Sequence, residues 1–324
     1  MLALLGVSGY YAYSIWHFAD DIKSKPETSR FKKFQNQGEV YQPPKWEGTE
    51  RVNILLMGGD SRGLRKNEIP RSDTIMIASL DPVGKTAYLF SILRDTYTEI
   101  PGHDHERINA AITLGGPDLA MKTVTQLTGI PIQYYVYTDF KGFIELIDAI
   151  GGIDYYVEKD MKYSDAADDH VYDINLKKGM QHLDGNTALQ YVRFRHDAMS
   201  DFARTERQRK FLQAIGYKLQ TTYSLIKLPQ ILDRVKPYIE TNLTIMDMLK
   251  LSALGFEIRS DAVEGIQLPP TQLLRDEKIG GAAVIGVNER ELQKFVEKLF
   301  SRKPENGNEP PAKSQSNQSQ SNPQ

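Results

Sequence analysis

Charged side chains adjoin the ends of three short apolar runs in the first third of the chain. They are Asp60, Asp73, Arg94 and Asp95. Carboxylate oxygens are hard ligands, and in a chain without Cys and without a nearby His pattern a pair of them suits Mg²⁺ or Mn²⁺ better than zinc. Arginine offers a planar fork that matches phosphate oxygens. A metal held by Asp60 and Asp73 beside Arg94 would be suited to a pyrophosphate, whose chemistry is mainly charge neutralisation and alignment.

A second concentration of arginine lies between residues 191 and 210. In a helix after Ser200, stepping back from the apolar residue Phe211 places Arg204 and Gln208 on the same inward face, with Arg207 beside it and Arg209 pointing away. An inward arginine needs an opposite charge or a bound anion, because burying an unpaired ion costs several kcal/mol.

Arg193 and Arg195 are two residues apart, so an extended chain would place both on one side. The competing interpretation of residues 191–210 is a solvated basic stretch that meets nucleic acid or acidic lipid. Interleaved Asp197, Asp201 and Glu206 argue against it. The whole chain also has no basic excess that would indicate nucleic acid, since Lys+Arg 40 against Asp+Glu 42 gives a net charge of -2.

The three apolar runs predict strands that bring the first cluster together. They cover Val52–Gly58, Thr74–Leu80 and Thr86–Ile92, and the turn-like residues 81–85 make the second and third antiparallel. If the first two are also antiparallel, then Asp60, Asp73 and Arg94 meet at one sheet edge. Taken singly, each of these residues would more often be a helix cap or a surface charge.

The rest of the chain alternates helix and strand signals. Helices are predicted at Pro117–Thr128, at 140–150 after an Asp139 cap, at Asp201–Tyr223, at Met246–Phe256 and after Asn288. Strands are predicted at Ile132–Tyr137, Ile153–Val157 and Val263–Leu268. This order indicates an α/β layered domain with a mixed sheet.

Both ends of the chain differ from this body, which is predicted to span residues 50–302. Leu2–Ala19 contains no charged residue and predicts a membrane anchor within residues 1–20, in preference to a buried helix or a cleaved signal peptide. The polar, proline-containing segment 21–49 predicts an extracytoplasmic stalk, and residues 303–324 predict a disordered tail. The absence of Cys suits an exported protein and excludes thiol nucleophiles.

The ordered set of short motifs in this chain resembles the LytR-CpsA-Psr family of cell-wall glycopolymer ligases. The matching stretches are Gly59-Asp60-Ser61-Arg62, Arg71-Ser72-Asp73-Thr74, Ser91-Ile92-Leu93-Arg94-Asp95, Ile108-Asn109-Ala110-Ala111, Gly151-Gly152-Ile153, Leu183-Asp184-Gly185, Arg193-Phe194-Arg195 and Asp201-Phe202-Ala203-Arg204 with Arg207-Gln208. They run from about Arg51 to Leu225. The chain departs from the family at Leu93, where proline is usual, and at Ala203, where glycine is usual.

The resemblance implies a three-layer α/β/α domain with a hydrophobic tunnel for a polyisoprenyl tail, preceded by a single transmembrane helix. It implies Asp60 and Asp73 as the carboxylates that hold Mg²⁺ (or Mn²⁺), with Asp201 as a polar support. It implies a phosphate cradle formed by Arg62, Arg94, Arg193, Arg195, Arg204 and Gln208. The cluster His103-Asp104-His105-Glu106 lies in a loop where the family has no ligands, and we interpret it as solvated.

The expected activity is a transfer in which a peptidoglycan hydroxyl attacks a polyisoprenyl-pyrophosphate-linked glycopolymer, such as wall teichoic acid, at the outer face of the cytoplasmic membrane. Arg94, Asp95, Arg193, Arg195 and Asp201 are the candidate catalytic residues. The general base stays open among Asp60, Asp73 and Asp95. Two alternatives are a regulatory protein that binds the lipid carrier without chemistry and a surface pyrophosphatase.

Overall fold

The computed structural model of the chain describes residues 2–22, 29–34, 41–61, 64, 68–164, 170, 173–196 and 200–302. The α-helices of this part are α1 (Leu2–Ile22), α2 (Ala111–Thr128), α3 (Phe140–Ala149), α4 (Gly185–Arg193), α5 (Ser200–Leu219), α6 (Thr222–Ile226), α7 (Leu228–Val235), α8 (Ile245–Glu257) and α9 (Glu289–Phe300). The strands of the central sheet are β1 (Val52–Gly59), β2 (Ser72–Asp81), β3 (Thr86–Ile92), β6 (Tyr134–Asp139), β11 (Ile239–Thr241) and β12 (Val263–Leu268). Four short hairpins or ladders contain β4 (Tyr97–Glu99), β5 (His105–Arg107), β7 (Ile153–Val157), β8 (Met161–Tyr163), β9 (Ile174–Leu176), β10 (Gly179–Leu183), β13 (Leu274–Ile279) and β14 (Ala282–Val287).

The central sheet has six strands in the order β11-β6-β1-β2-β3-β12. Strand β2 is antiparallel to both β1 and β3, whereas β6 runs parallel to β1 and β12 runs parallel to β3. The mixed sheet predicted from the sequence is therefore confirmed. The β2–β3 turn forms because the Asp81 carboxylate accepts the backbone N–H groups of Val83 and Gly84, both at 2.9 Å.

The pairing of β1, β2 and β3 brings three chain points to one edge of the sheet. Gly59 lies opposite Ser72, so the end of β1 meets the start of β2. Because β3 is antiparallel to β2, its end at Ile92 returns to that edge. Asp60 directly follows β1, Asp73 is the second residue of β2, and Arg94 lies two residues beyond the end of β3. These three residues therefore meet at one edge, as the strand prediction required.

Helices cover both faces of the sheet. On one face, alternate side chains of the strands, such as Leu55, Ile77 and Phe90, are buried against α2 and α9. On the other face Ile54 and Leu56 contact α8, and α5 lies over β3 and β12. A further apolar cluster joins α3, α4 and α5 beside the sheet. This arrangement gives the three layers that the family resemblance implied.

Several helices and strands begin or end at residues other than those predicted, because kinks and caps within the chain are not visible in the apolar pattern. Helix α2 begins at Ala111 rather than at Pro117, and non-helical Gly115 and Gly116 kink it where the prediction placed its start. The long helix predicted to Tyr223 ends at Leu219, because Thr221 caps the new helix α6 through Ser224 N. Strand β6 lies two residues later than predicted, and its last residue, Asp139, caps α3 by accepting from Gly142 N at 3.0 Å.

The segment before β1 contacts the domain at the points where it carries apolar side chains. Phe31 is 3% exposed within the core, and Trp46 is 4% exposed against α8 residues. Arg30 also pairs with Glu240 at 2.7 Å. The described parts of the predicted stalk therefore pack on the domain, because two buried aromatic rings outweigh the polar composition of their neighbours.

Helix α1 lies against α7 and α8, and the Tyr11 hydroxyl donates to the carbonyl of Ile226. Among the helices of the described part of the chain, none combines the length and the apolar character needed to cross a bilayer. The predicted tail, residues 303–324, lies outside the described residues.

Candidate active site

A cavity of about 770 Å³ runs between the sheet and helices α3, α4 and α5. Most of its wall is apolar, with contributions from Leu56, Met76, Val136, Phe143 and Leu212. Its charged lining residues are Asp60, Asp73, Arg94, Asp139, Arg193, Arg195 and Arg204, and its polar lining residues include Thr74, Thr138, Tyr163, His196 and Gln208. An apolar space that ends in charged side chains can take an amphiphile with an anionic head group.

The charged end of this cavity is organised around the start of β2. The Arg94 guanidinium pairs with the Asp73 carboxylate, and Arg204 Nη2 donates to the backbone carbonyl of Asp73 at 3.3 Å. Residues 94 and 204 are far apart in the sequence, and they reach Asp73 from the segment just after β3 and from α5. The tertiary fold thus places two guanidinium groups on one residue of the sheet edge.

Asp201 holds the second pair of arginines. Its Oδ1 lies 3.0 Å from Arg195 Nη2 and 3.1 Å from Arg204 Nη2. One carboxylate between two guanidinium groups leaves a local excess of positive charge, and this excess can stabilise a phosphate oxygen. Asp201 therefore contacts both arginines at once, and its supporting role, which the resemblance implied, stays a prediction.

Unused hydrogen-bonding capacity remains at this end of the cavity. The buried Nε atoms of Arg94, Arg195 and Arg204 and the Oε1 of Gln208 make no hydrogen bond to the described residues. Burial lowers the pKa of Arg204 to about 10, an effect that Asp201 opposes and Arg195 reinforces. The group is still cationic at neutral pH. Buried donors without partners are unfavourable unless a ligand supplies acceptors.

Helix α5 has the phase that the sequence predicted at three of four positions. Arg204 and Gln208 line the cavity, and Arg207 is buried beside them, where it donates to the Phe194 carbonyl at 2.5 Å. The fourth prediction, that Arg209 points to water, is wrong. Arg209 donates to the Ser91 hydroxyl and lies over Gly265, because α5 packs on β3 and β12 and so covers a second side of the helix.

Arg193 and Arg195 reach the cavity by a different backbone from the one predicted. Arg193 is the last residue of α4 rather than part of an extended segment, and its guanidinium lies 5.3 Å from the ring centre of Phe140. Arg195 follows two residues after this helix end. The helix forms because Asp184 caps it through Thr187 N, a signal that the sequence analysis had recorded only as a motif.

Asp95 does not line this cavity but lines a smaller one next to it. Its carboxylate lies 3.4 Å from Arg107 Nη1 and 3.8 Å from Arg94 Nε. Asp60 and Asp73 line both cavities.

Arg62, predicted for the phosphate cradle, lies outside the described residues. In the His103–Glu106 cluster, His103, Asp104 and His105 are exposed, whereas Glu106 is partly buried and lies 3.8 Å from Arg71.

The sequence analysis assigned no role to Arg107, Asn109 or Phe140, which also border the two cavities. Asn109 stood within a motif that resembled the family, so the motif match was the available signal for it. Arg107 had no signal, because its position depends on the β4–β5 pairing in which it lies opposite Tyr97.

The side chains fit a divalent cation of the magnesium type. Asp60 and Asp73 provide hard oxygen ligands on the border shared by both cavities, and the described residues contain no cluster of three or more His, Cys, Asp or Glu that would form a complete metal cage. Mg²⁺ is commonly held by one or two carboxylates together with substrate phosphates. Two carboxylates beside Arg94, Arg195 and Arg204 meet that description.

Comparison with known proteins shows which family this chain is similar to. The profile of the LytR_cpsA_psr family matches residues 11–301. The polyisoprenyl-teichoic acid–peptidoglycan teichoic acid transferase TagU of Bacillus cereus is 34% identical over 275 residues, which cover 83% of this chain and 86% of TagU. The regulatory protein MsrR of Staphylococcus aureus is 33% identical over 244 residues, or 74% of this chain and 71% of MsrR.

Solved structures of TagT (YwtF), a Bacillus subtilis protein, share the fold. The structure of TagT with bound octaprenyl pyrophosphate superposes with a TM-score of 0.59 at 27% identity, covering 80% of this chain and 93% of TagT. The structure of TagT bound to LI-WTA gives 0.63 at 29% identity, with coverage of 80% and 94%.

Proposed function

The chain belongs to the LytR-CpsA-Psr family, and from this membership we propose that it transfers an anionic glycopolymer from a polyisoprenyl-pyrophosphate carrier to peptidoglycan. Like its relative TagU, it is a transferase. The observation that carries the proposal is the mostly apolar cavity of about 770 Å³ whose charged lining includes Asp60, Asp73, Arg94, Arg195 and Arg204. Wall teichoic acid is the polymer that the names of TagU and of the TagT complex support.

Different parts of the cavity would bind the lipid tail and the pyrophosphate head group of such a donor. Its apolar wall receives the polyisoprenyl tail, which gains about 25 cal/mol for each Å² of apolar surface removed from water. The pyrophosphate then lies among Arg94, Arg195 and Arg204, whose buried Nε donors lack partners in the described chain. The Gln208 side chain, anchored by donation to the Val192 carbonyl at 3.2 Å, adds a neutral contact beside them.

In the proposed reaction, an acceptor hydroxyl oxygen bonds to the polymer-proximal phosphorus. The bond from that phosphorus to the bridging oxygen breaks and polyisoprenyl phosphate leaves. The hydroxyl proton passes to a carboxylate, for which Asp60, Asp73 and Asp95 are the candidates, or to the leaving phosphate. Arginines fixed by Asp73 and Asp201 before the donor binds stabilise the charge on the bridging and leaving oxygens at no reorganisation cost. Arg195 and Arg204 are therefore the residues expected to act most directly on the transition state.

We include Mg²⁺ in the proposal, with Asp60 and Asp73 as its protein ligands. When bound, the ion supplies additional neutralisation of the pyrophosphate charge. The support is the position of the two carboxylates on the shared border of both cavities, together with the oxygen chemistry of the donor set.

We also propose that the domain lies outside the cell, held by the apolar segment Leu2–Ala19. The support is the lack of charge in that segment and the lack of Cys in the whole chain. Protease treatment of intact cells should digest the domain. Protection of residues 50–300 in intact cells, with digestion after lysis, would show that the orientation is wrong.

The function is tested by incubating the purified protein with a lipid-pyrophosphate-linked saccharide, peptidoglycan fragments and Mg²⁺, and by searching for the joined product by mass spectrometry. A joined product that disappears in Arg195→Ala but persists in the exposed control Arg290→Ala supports the transferase. Release of the free saccharide phosphate alone would indicate a pyrophosphatase. Binding of the donor with neither product would indicate a carrier-binding regulator, the role that the name of MsrR suggests for that relative.

A further inference from the structure

A second cavity, of about 340 Å³, lies beside the charged end of the 770 Å³ cavity and shares Asp60, Asp73 and Arg94 with it. Its other described lining residues are Leu64, Pro70, Arg71, Asp95, Arg107 and Asn109. Because only Leu64 and Pro70 are apolar, this space does not continue the path of a polyisoprenyl tail. A molecule bound in the second cavity would contact Asp60, Asp73 and Arg94, which also border the proposed pyrophosphate site.

The charges of this second cavity are balanced. Among the described lining residues, three arginines face three aspartates, so their formal charges cancel. Arg94 pairs with Asp73, and Arg107 Nη1 lies 3.4 Å from Asp95. These side chains by themselves offer a further phosphate no excess of positive charge. A neutral molecule rich in hydroxyl groups can donate to the carboxylates and accept from the guanidinium groups at the same time.

Asn109 supplies an independent sign of a ligand. It is 5% exposed, lines the cavity, and its Oδ1 has no hydrogen-bond partner among the described residues. Its backbone is fixed, since Asn109 N donates to the Arg94 carbonyl at 3.3 Å and the preceding N–H, of Ile108, donates to the Thr96 carbonyl at 2.8 Å. Because Asn109 Oδ1 lines a cavity, a donor from a molecule bound in that cavity can satisfy it.

We infer that this second cavity binds the acceptor sugar, a hydroxyl-bearing ring of the peptidoglycan glycan chain. The inference rests on the proposed transfer and names the site of its second substrate. Asp95 accepts a hydrogen bond from the attacking hydroxyl and positions its oxygen towards the phosphorus beside Arg94. Asn109 Oδ1 accepts from a neighbouring hydroxyl, and Arg71 and Arg107 donate to ring substituents.

The inference is tested by measuring transfer while the concentrations of donor and of peptidoglycan fragment are varied separately. Asn109→Ala and Arg71→Ala should each raise the KM for the fragment by about three- to tenfold, the value of one hydrogen bond, with the KM for the donor unchanged. Arg71 is an exposed side chain, so its truncation leaves the fold intact. The matched control is Asn53→Ala. Asn53 is also a buried asparagine, 2% exposed, whose Oδ1 likewise has no hydrogen-bond partner among the described residues, but it lies at the opposite end of β1 and does not line the second cavity.

Asn53→Ala should lower the melting temperature without changing either KM. If both Asn109→Ala and Arg71→Ala keep the wild-type KM for the fragment while transfer proceeds, the acceptor site is misplaced although the transferase stands. If the wild-type protein forms no joined product, the proposed function fails. Separate binding titrations with an N-acetylated peptidoglycan disaccharide and with inorganic phosphate then show which of the two ligands the second cavity binds. Disaccharide binding that weakens in Arg71→Ala supports the site. Binding of phosphate alone, or of neither, overturns it.

Discussion

Asp201 illustrates how a single carboxylate can prepare a site for an anion. It contacts Arg195 and Arg204 at 3.0 and 3.1 Å, while Arg204 also reaches the backbone of Asp73. Pairing the arginines keeps them charged within the fold, although burial lowers the pKa of Arg204 to about 10. The pairing is incomplete, because their Nε donors remain without partners in the described chain. The residues are thus held in place and still able to bind phosphate oxygens.

At the residue scale we predict different effects for two arginines of the same helix. Arg204→Ala should weaken binding of a soluble polyprenyl pyrophosphate at least about tenfold, because a charge-assisted hydrogen bond contributes about 1.5–3 kcal/mol. Arg209→Ala should instead lower the free energy of unfolding by about 0.5–1.5 kcal/mol, since it removes the bond to Ser91 and leaves the cavity unchanged. Calorimetric titration and urea unfolding of both variants measure the two effects. Equal losses of affinity would mean that this arginine stretch acts only through its overall charge.

A second residue-scale prediction concerns the cation. Asp60→Asn should raise the Mg²⁺ concentration needed for half-maximal turnover by at least about tenfold, because a charged ligand is replaced by a neutral one. The control is Asp104→Asn, an exposed aspartate of the His103–Glu106 loop, which should leave the Mg²⁺ dependence unchanged. Turnover assayed over a Mg²⁺ series after EDTA treatment measures both. A larger effect at Asp104 than at Asp60 would move the metal site to that loop.

At the element scale, helix α4 sets the position of Arg193 and, just beyond its end, Arg195. The helix begins where the Asp184 carboxylate accepts from Thr187 N at 2.8 Å and from the Thr187 hydroxyl at 2.6 Å. These bonds lower the pKa of Asp184 from its usual 3.8, the side-chain bond being the larger cause. A cap at one end of the helix therefore orders the guanidinium groups at the other end.

The Asp184 cap predicts a pH-dependent contribution to stability. Because the folded-state pKa lies below 3.8, the contribution is fully present above pH 3.8 and is lost as the pH falls through the lower folded-state value. Asp184→Ala should cost about 0.5–2 kcal/mol at neutral pH, and its difference from wild type should shrink in strong acid. Urea unfolding at a series of pH values measures this. Asn288→Ala, which removes the uncharged cap of α9, is the control and should show a loss that does not depend on the carboxylate.

At the scale of the whole molecule, the sheet separates two tasks. The edge where β1 ends and β2 begins carries the charged residues, while the face of the sheet and helices α3, α4 and α5 enclose the apolar cavity. The second face is packed by α2 and α9 and contributes to stability. The donor is therefore expected to be recognised by tail and head group through different parts of the fold.

This separation predicts that the tail site can be blocked alone. Leu212→Trp fills part of the apolar cavity and should raise the KM for an undecaprenyl donor at least about tenfold, because the tail can no longer bury its surface. The Leu212→Trp variant should use a geranyl donor, whose tail is short, as efficiently as the wild-type protein does. Leu249→Trp, on the exposed side of α8, is the control and should affect neither donor. Equal losses with both donors would place Leu212 beside the head group rather than the tail.

Much of the framework follows from local patterns in the sequence. Apolar runs and their turn residues predicted β1, β2, β3 and β12 to within two residues, because strand formation there depends on alternation and on the Asp81 turn. The same strands required Asp60, Asp73 and Arg94 to meet at one edge. Helical phase predicted that Arg204 and Gln208 face the cavity, since an inward face continues along a helix from Phe211.

Other features depend on contacts between distant segments and could only come from the tertiary structure. The second side of α5 is covered by β3 and β12, and so Arg209 is partly buried although its position on the helix predicted exposure. Arg193 ends a helix whose cap lies nine residues earlier. Arg107 and Asn109 border the second cavity because β5 pairs with β4 and the next turn packs into the core. Local periodicity determines the elements and one face of each, whereas the packing of the elements decides which remaining faces are buried and which side chains share a site.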